Sequence, residues 1–182
     1  MKKIKYCAVY GMVLFLLVAA GALSLAAQDK DYFSELGIYS PSEEIIPYDF
    51  TAESITGKRV SLSEFKGKVV FLNFWATWCP PCKSEIKDIQ TLYTTLKDEK
   101  FTVMAVDVQE GAQTVRSFMK DMKADFPVYL DPEGEIAMRY QIRGLPTTFL
   151  LGADGKIAGM AVGPRQWGSE TSIKLMRSLM EK

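Results

Sequence analysis

The 182-residue chain contains no histidine and only three cysteines, and its 22 basic side chains are balanced by 22 acidic ones. Without histidine, the chain cannot build Ser-His-Asp or Cys-His catalysis, a histidine zinc site or a histidine-ligated haem. Three cysteines are too few for a four-cysteine zinc or iron–sulfur site within one chain. The balanced charge creates no field that recruits nucleic acid, so no nucleic-acid partner is expected.

The N-terminus combines a lysine-rich start with an uncharged run over residues 6–28. Lysines before an apolar run are typical of a targeting segment whose positive end stays in the cytoplasm. The run is long enough for a signal-peptide core or for a membrane span, and the small residues at its end slightly favour cleavage. We therefore predict that residues 1–28 are a signal peptide or membrane anchor that inserts in or crosses the cytoplasmic membrane. The rest of the chain is then extracytoplasmic, in the periplasm or on the outer face of that membrane.

Hydrophobic periodicity predicts one domain over residues 46–182, preceded by a spacer over residues 29–45. Two short strand-like segments at 46–51 and 58–62 flank Gly57, as in a β-hairpin. Further strands are predicted at residues 68–75, 101–108, 127–130, 147–151 and 156–161, and helices from residue 80, at 112–123, at 136–140 and at the C-terminus. This order predicts an α/β fold with a central mixed β-sheet flanked by helices.

Cys79 and Cys82 lie where the strand-like segment 68–75 gives way to a helix, with two prolines between them. Unpaired N–H groups and the positive end of the helix dipole favour a thiolate there. In such CxxC settings the cysteine pKa falls from about 8.5 towards roughly 3.5–7.5. We therefore predict that Cys79 is the exposed attacking thiolate and that Cys82, on the inner side of the helix, resolves the mixed disulfide. This redox-active disulfide needs no metal and no non-protein cofactor.

Other interpretations of the cysteine pair stay open at this point. A structural disulfide is one, but a bridge across so few residues constrains the unfolded chain little. A copper(I)-binding module is another, although the chain offers no histidine and no third good ligand. A non-catalytic interaction domain would have little reason to keep both cysteines. The direction of electron flow is also open, so a disulfide oxidant or isomerase remains an alternative to a reductant.

The strings Phe74–Cys82 (FWATWCPPC) and Gly144–Leu150 (GLPTTFL) resemble two motifs of the TlpA/ResA-like extracytoplasmic thiol–disulfide oxidoreductases, a branch of the thioredoxin superfamily. The resemblance covers residues 46–180. It implies a thioredoxin-like fold with an N-terminal β-hairpin and an extra helix inserted after the second core strand. It also implies reduction of disulfides in selected exported proteins, commonly those of apocytochrome c in cytochrome c biogenesis. A membrane thiol-transporting donor would then supply the electrons.

The same resemblance implies roles for residues outside the cysteine pair. Pro146 matches a cis-proline that packs against the CxxC motif, and Leu145 would offer backbone groups to an extended substrate segment. Asn73 stands where thioredoxin has a buried aspartate for proton transfer, and an amide cannot titrate. Glu110 matches the glutamate thought to take over that role, so it is expected to serve as an acid–base group for Cys82.

Simpler explanations exist for several of these residues. Trp78, directly before the first cysteine of the pair, either lines the substrate surface or packs on the domain. Glu110 has the alternative of a solvated loop carboxylate, and Leu145 that of ordinary packing. Trp75, on the apolar strand-like segment, is expected to be a core residue.

Overall fold

The structure is a computed structural model that describes residues 32–181. Within that range the strands are Thr51–Ser54 (β1), Arg59–Ser61 (β2), Val69–Trp75 (β3), Phe101–Val108 (β4), Val128–Asp131 (β5), Thr147–Leu151 (β6) and Ile157–Val162 (β7). The longer helices are Pro80–Leu96 (α1), Ala112–Met122 (α2), Glu135–Arg139 (α3) and Glu170–Met180 (α4). A 3-10 helix covers Leu62–Phe65, and a helical turn covers residues 32–35.

The strands of the described region form a single mixed sheet in the order β2-β1-β5-β4-β3-β6-β7. Strands β3, β4 and β5 are parallel neighbours, whereas the other pairings are antiparallel. Parallel strands need a crossover connection, which α1 supplies between β3 and β4 and α2 between β4 and β5. The predicted α/β fold is therefore confirmed, including the N-terminal hairpin and the helix after the second core strand.

The central strands are apolar along almost their whole length because both faces of the sheet are covered. Every residue of β3 and of β4 is buried. Odd-numbered side chains such as Phe71 and Val103 join the core that contains the buried faces of α1, α2 and α4, and even-numbered ones join the core on the opposite face. By the same alternation, the polar side chains of Asn73 and Asp107 are directed to the α1 side.

Helix α1 begins directly after β3 because the local sequence caps its N-terminus. Cys79 is the N-cap residue, and Pro80 and Pro81 occupy the first helical positions, where a missing N–H removes no helical hydrogen bond. The buried face of the helix repeats at three- and four-residue spacing, as an amphipathic helix requires. Its members are Cys82, Glu85, Ile86, Ile89, Leu92 and Leu96. One position of this buried face therefore carries a carboxyl group.

The predicted first strand is wrong in position. The alternating pattern predicts a strand over residues 46–51, but β1 begins only at Thr51, which pairs with Ser61 of β2. Ile46 is 81% exposed, and of the alternating apolar residues only Phe50 is buried. Exposed apolar side chains can show the same period as buried ones, so alternation alone did not locate the strand.

The segment predicted to be a spacer packs along the sheet over residues 32–45. Phe33 and Ile38 are buried in the core on the α1 side, and Tyr39 forms an antiparallel bridge with edge strand β7. Gly159 of β7 makes room for this contact, because a Cβ atom there would lie 2.6 Å from the Phe33 ring. The missing side chain thus lets the N-terminal segment approach the edge of the sheet closely.

The predicted signal peptide or anchor at residues 1–28 lies outside the described residues. Between residues 32 and 181, no helix combines the length and the apolar character that crossing a bilayer requires. Export and anchoring therefore stay predictions from the sequence.

Candidate active site

The cysteine pair lies at the junction of β3 and α1 and is in the oxidised state. Cys79 and Cys82 are joined by a disulfide, with their Cα atoms 5.3 Å apart. The sulfur of Cys79 also accepts a hydrogen bond from the backbone N–H of Cys82 at 3.2 Å. This sulfur lies at the N-terminus of a helix, where a thiolate formed on reduction is stabilised by the helix dipole and by backbone N–H groups. The arrangement can take up two electrons as a dithiol and return to the disulfide.

The exposure of the pair differs from the sequence prediction. An exposed Cys79 is predicted, but in the oxidised form this residue is only 3% exposed and Cys82 is fully buried. Trp78, directly before Cys79, is 59% exposed, whereas Trp75 is buried in the core as expected. The apolar surface next to the disulfide is therefore that of Trp78.

The loop before β6 approaches the same end of β3. Its Leu145–Pro146 peptide bond is cis. The antiparallel register pairs Thr147 with Phe74, which places Pro146 beside the end of β3 that leads to Cys79. Pro146 is buried, and Leu145 is partly buried and packs against both cores. Both residues thus lie near the C-terminal end of β3, the end of the sheet at which the cysteine pair follows.

Glu110 lies in the β4–α2 loop at this end of the sheet, but its contacts differ from the expected one. Its carboxylate accepts a hydrogen bond from the backbone N–H of Thr77 at 2.5 Å and another from the Thr77 hydroxyl at 2.6 Å. The expected partner was Cys82. Because Thr77 lies two residues before Cys79, Glu110 fixes the turn that leads into the disulfide.

Asp107 of β4 is a second carboxyl group next to Glu110, and the motifs discussed above do not include it. It is 0% exposed, and within the described residues no N–H or hydroxyl donor reaches either of its carboxyl oxygens. The Glu110 carboxyl lies within hydrogen-bonding range of it, so a bond between the two requires a proton on one of them. Burial, followed by the nearby negative charge of Glu110, raises the pKa of Asp107 to about 8. Asp107 is therefore mainly protonated at neutral pH.

Glu85 is a third carboxyl group, one helical turn after Cys82 on the buried face of α1. It accepts hydrogen bonds from Asn73 Nδ2 at 3.1 Å, from Trp167 Nε1 at 3.0 Å and from the backbone N–H of Arg165 at 3.3 Å. Burial raises the pKa of Glu85 to about 7, although these hydrogen bonds act in the opposite direction. A buried group that titrates near neutral pH, on the same face as the resolving cysteine, is suited to acid–base chemistry.

A signal for both unexpected carboxyl groups is present in the sequence. Glu85 occupies a position that continues the apolar spacing of α1, and Asp107 interrupts the apolar run of β4. A charged residue at a core position is rare unless it is paired or neutralised, so such a position marks a candidate site. Asn73 adds to this picture, because its amide donates to Glu85 from the strand position that carries an aspartate in thioredoxin.

Comparison with known proteins agrees with this geometry. Residues 44–160 match the AhpC/TSA family. The chain is 37% identical over 150 residues to a thiol–disulfide oxidoreductase ResA of Bacillus cereus, covering 80% of this chain and 82% of that protein. It is 42% identical over 115 residues to a ResA of Bacillus subtilis, covering 63% and 64%. A solved structure of a thioredoxin-family thiol:disulfide interchange protein from Chlorobium tepidum has a TM-score of 0.68 at 29% identity, covering 78% of this chain and 99% of that one.

Proposed function

We propose that this chain reduces disulfide bonds of selected exported proteins outside the cytoplasmic membrane. The chain belongs to the AhpC/TSA family and is a thioredoxin-like thiol–disulfide oxidoreductase of the ResA-like type. The observation that carries the proposal is the disulfide of Cys79 and Cys82 at the capped N-terminus of α1. The substrate class that we propose includes the haem-attachment cysteines of apocytochrome c. A membrane thiol-transporting protein is the proposed electron donor.

In the proposed reaction, the Cys79 thiolate attacks one sulfur of a substrate disulfide. A mixed disulfide forms, and the first substrate sulfur leaves as a thiolate that takes up a proton. Cys82 then loses its proton and attacks the Cys79 sulfur, which releases the second substrate sulfur. Two electrons have passed to the substrate, and the Cys79–Cys82 disulfide remains until the donor returns two electrons.

Glu85 is a further candidate for the acid–base role towards Cys82. It lies one turn along the same buried helix face, and its pKa of about 7 lets it hold or release a proton near neutral pH. Glu110 contributes through its hydrogen bonds to Thr77, which fix the approach of the chain to the cysteines. We therefore assign Glu110 a positioning role, and the direct proton transfer with Cys82 that the resemblance implies stays a second proposed role for this residue.

We assign substrate binding to the exposed Trp78 and to the loop that contains Leu145 and Pro146. The exposed indole of Trp78 offers apolar contact, and the backbone of Leu145 offers hydrogen bonds to an extended segment. A cavity of about 320 Å³ beside this loop has room for a substrate side chain. Its lining includes Tyr140, Arg143, Gly144, Phe149, Met160 and Val162.

The equilibrium reduction potential of the Cys79–Cys82 pair tests the proposed direction of electron flow. Thioredoxin-like reductants have reduction potentials of about −270 mV, and strong oxidants have potentials of about −120 mV. We expect a reduction potential below about −220 mV. In that case the Cys82→Ser variant, which cannot resolve the mixed disulfide, is expected to trap its substrates. A value above about −160 mV would contradict the reductant and favour an oxidant or isomerase.

Failure to form a reversible disulfide would contradict any redox function. Copper(I) binding would then take its place, because two thiolates suit that ion. Titration of the reduced protein with copper(I), with Cys79→Ser as the control, would measure it.

A further inference from the structure

We propose that Asp107 is a positioning residue for the turn before Cys79: its protonated carboxyl donates a hydrogen bond to Glu110 and holds the Glu110 carboxylate on Thr77. The proposal rests on the proposed function only in taking the cysteine pair as the reactive site. It adds a pair of carboxyl groups that share one proton and contact the turn before Cys79.

The Asp107 carboxyl has no N–H or hydroxyl donor within the described structure. It is fully buried in β4, in register with Trp75 of β3. The indole N–H of Trp75 has no partner among the described residues, so this neighbouring donor does not stabilise an aspartate anion either. A buried carboxylate without a donor is strongly unfavourable, so the group must be neutral or share a proton.

The hydrogen bonds of Glu110 indicate which of the two carboxyl groups, Asp107 or Glu110, holds the proton. Glu110 accepts one hydrogen bond at each of its carboxyl oxygens, both from Thr77. This arrangement fits an ionised carboxylate, which only accepts. Asp107, with no donor to satisfy an anion, is the better site for the proton. Burial, followed by the negative charge of the neighbouring Glu110, raises the pKa of Asp107.

Charged groups on the surrounding elements already have other partners, so Glu110 is the charge that acts on Asp107. These groups are Lys83 of α1 over the Phe118 ring, Glu85 of α1 with Asn73, Trp167 and Arg165, Arg116 of α2 with the carbonyl of Ile55, and Asp131 of β5 with backbone N–H groups of α3. The remaining titratable groups at this end of α1 are the two cysteines, which do not titrate while they form the disulfide.

Loss of the shared proton has a defined consequence. One proton leaves to solvent, no electron moves, and two carboxylates then repel each other in a buried site. Either Asp107 or Glu110 must move, and the hydrogen bonds to Thr77 weaken. The turn into Cys79 is therefore held firmly at neutral pH and is released in alkaline solution.

The test is a carboxyl and amide NMR titration of the full chain in its oxidised form. We expect the chemical shifts of the Asp107 carboxyl carbon and of the Thr77 amide to change in one common transition with a midpoint of about pH 8. Asp107→Asn, whose amide donates to Glu110 without a shared proton, is expected to abolish the Thr77 transition while the Thr77 amide stays protected from exchange. Asp121→Asn, which makes the same substitution at an exposed position of α2, is the matched control and is expected to behave as the unmodified chain.

A donor-free variant completes the test. In Asp107→Leu the Thr77 amide is expected to exchange at least about tenfold faster at pH 7, because Glu110 is no longer held. A Thr77 transition that persists in Asp107→Asn, or an Asp107 carboxyl that titrates below about pH 5, would overturn the proposal. If Asp107→Leu does not fold, these two results still decide. All readouts use the oxidised chain, so failure of the proposed reductant activity would not alter them.

Discussion

Glu85 and Asp107 are two carboxyl groups buried on the same side of the sheet, and they are satisfied in opposite ways. Glu85 accepts hydrogen bonds from three N–H groups, contributed by β3 and by the segment after β7. Asp107 has no such donor within the described residues, and its neighbour is another carboxyl group. Burial raises the pKa of both, to about 7 and about 8. Equal burial therefore does not imply an equal role.

The difference shows what each group does for the structure. Glu85 links α1 to β3 and to the loop that follows β7. Its acceptor oxygens therefore hold three segments of the chain together. Among the described residues, the proposed link of the Asp107 carboxyl runs to Glu110 and through it to Thr77, so its effect is local to the active-site turn. Removing the acceptor should therefore be costly at Glu85, whereas replacing the protonated carboxyl by an amide should be tolerated at Asp107.

The largest expected effect is the loss of stability in Glu85→Leu. Three buried donors lose their acceptor, and each unpaired group costs about 1–3 kcal/mol, so we expect a loss of roughly 3–5 kcal/mol at pH 7. Asp107→Asn is expected to be at least as stable as the unmodified chain at pH 7, because the amide keeps a donor for Glu110 and has no proton that the unfolded chain can release. Urea unfolding of the oxidised protein measures both. Equal losses in the two variants would show that hydrogen-bond satisfaction does not distinguish these groups.

The next effect is a decline of stability with rising pH. Both groups have higher pKa values in the folded chain than their ordinary values of 4.5 and 3.8, so the folded state binds these protons more tightly. Their stabilisation is complete below the ordinary pKa and is lost as the pH rises to about 7 for Glu85 and about 8 for Asp107. Each group then lowers the free energy of unfolding by up to about 1.4 kcal/mol per pH unit.

Variants separate the two contributions to this decline. Glu85→Gln should flatten the curve below about pH 7, and Asp107→Asn should also remove the decline between about pH 7 and 8. Urea unfolding at intervals from pH 4 to pH 9 gives the curves, and Asp121→Asn should keep the full decline. A stability that rises across this range would contradict the raised pKa values.

The smallest expected effect is on the pH dependence of thiol reactivity. Glu85→Gln removes a negative charge one turn from Cys82, so the midpoint of alkylation by iodoacetamide in the reduced protein should fall by about 0.5–1 pH unit. Asp107→Asn should leave the profile unchanged below about pH 7 and differ only in alkaline solution. Glu110→Gln should also alter the profile, because it disturbs the turn at Thr77. An unchanged profile in Glu110→Gln would remove that residue from the mechanism.

Much of the fold followed from local pattern. The apolar runs of β3 and β4 and the periodicity of α1 predict a mixed sheet with helical crossovers, and the structure has both. Pro146 and Glu110, identified by resemblance, lie at the same end of the sheet as the cysteines. The first strand was misplaced because Ile46 is apolar yet exposed. The sequence predicts an exposed Cys79, whereas this residue is buried in the oxidised chain.

The sequence by itself determined the chemistry: a dithiol at the junction of a strand and a helix, in a chain without histidine. These features depend on neighbouring residues and on periodicity, which are local properties. Only the tertiary structure decided the state of the buried carboxyl groups. The partners of Glu85 lie 12, 80 and 82 residues away along the chain, and Thr77 and Glu110 are 33 residues apart. Burial raises the pKa of an acid and the donors around it lower that pKa, and both the burial and the donors arise only when distant segments pack.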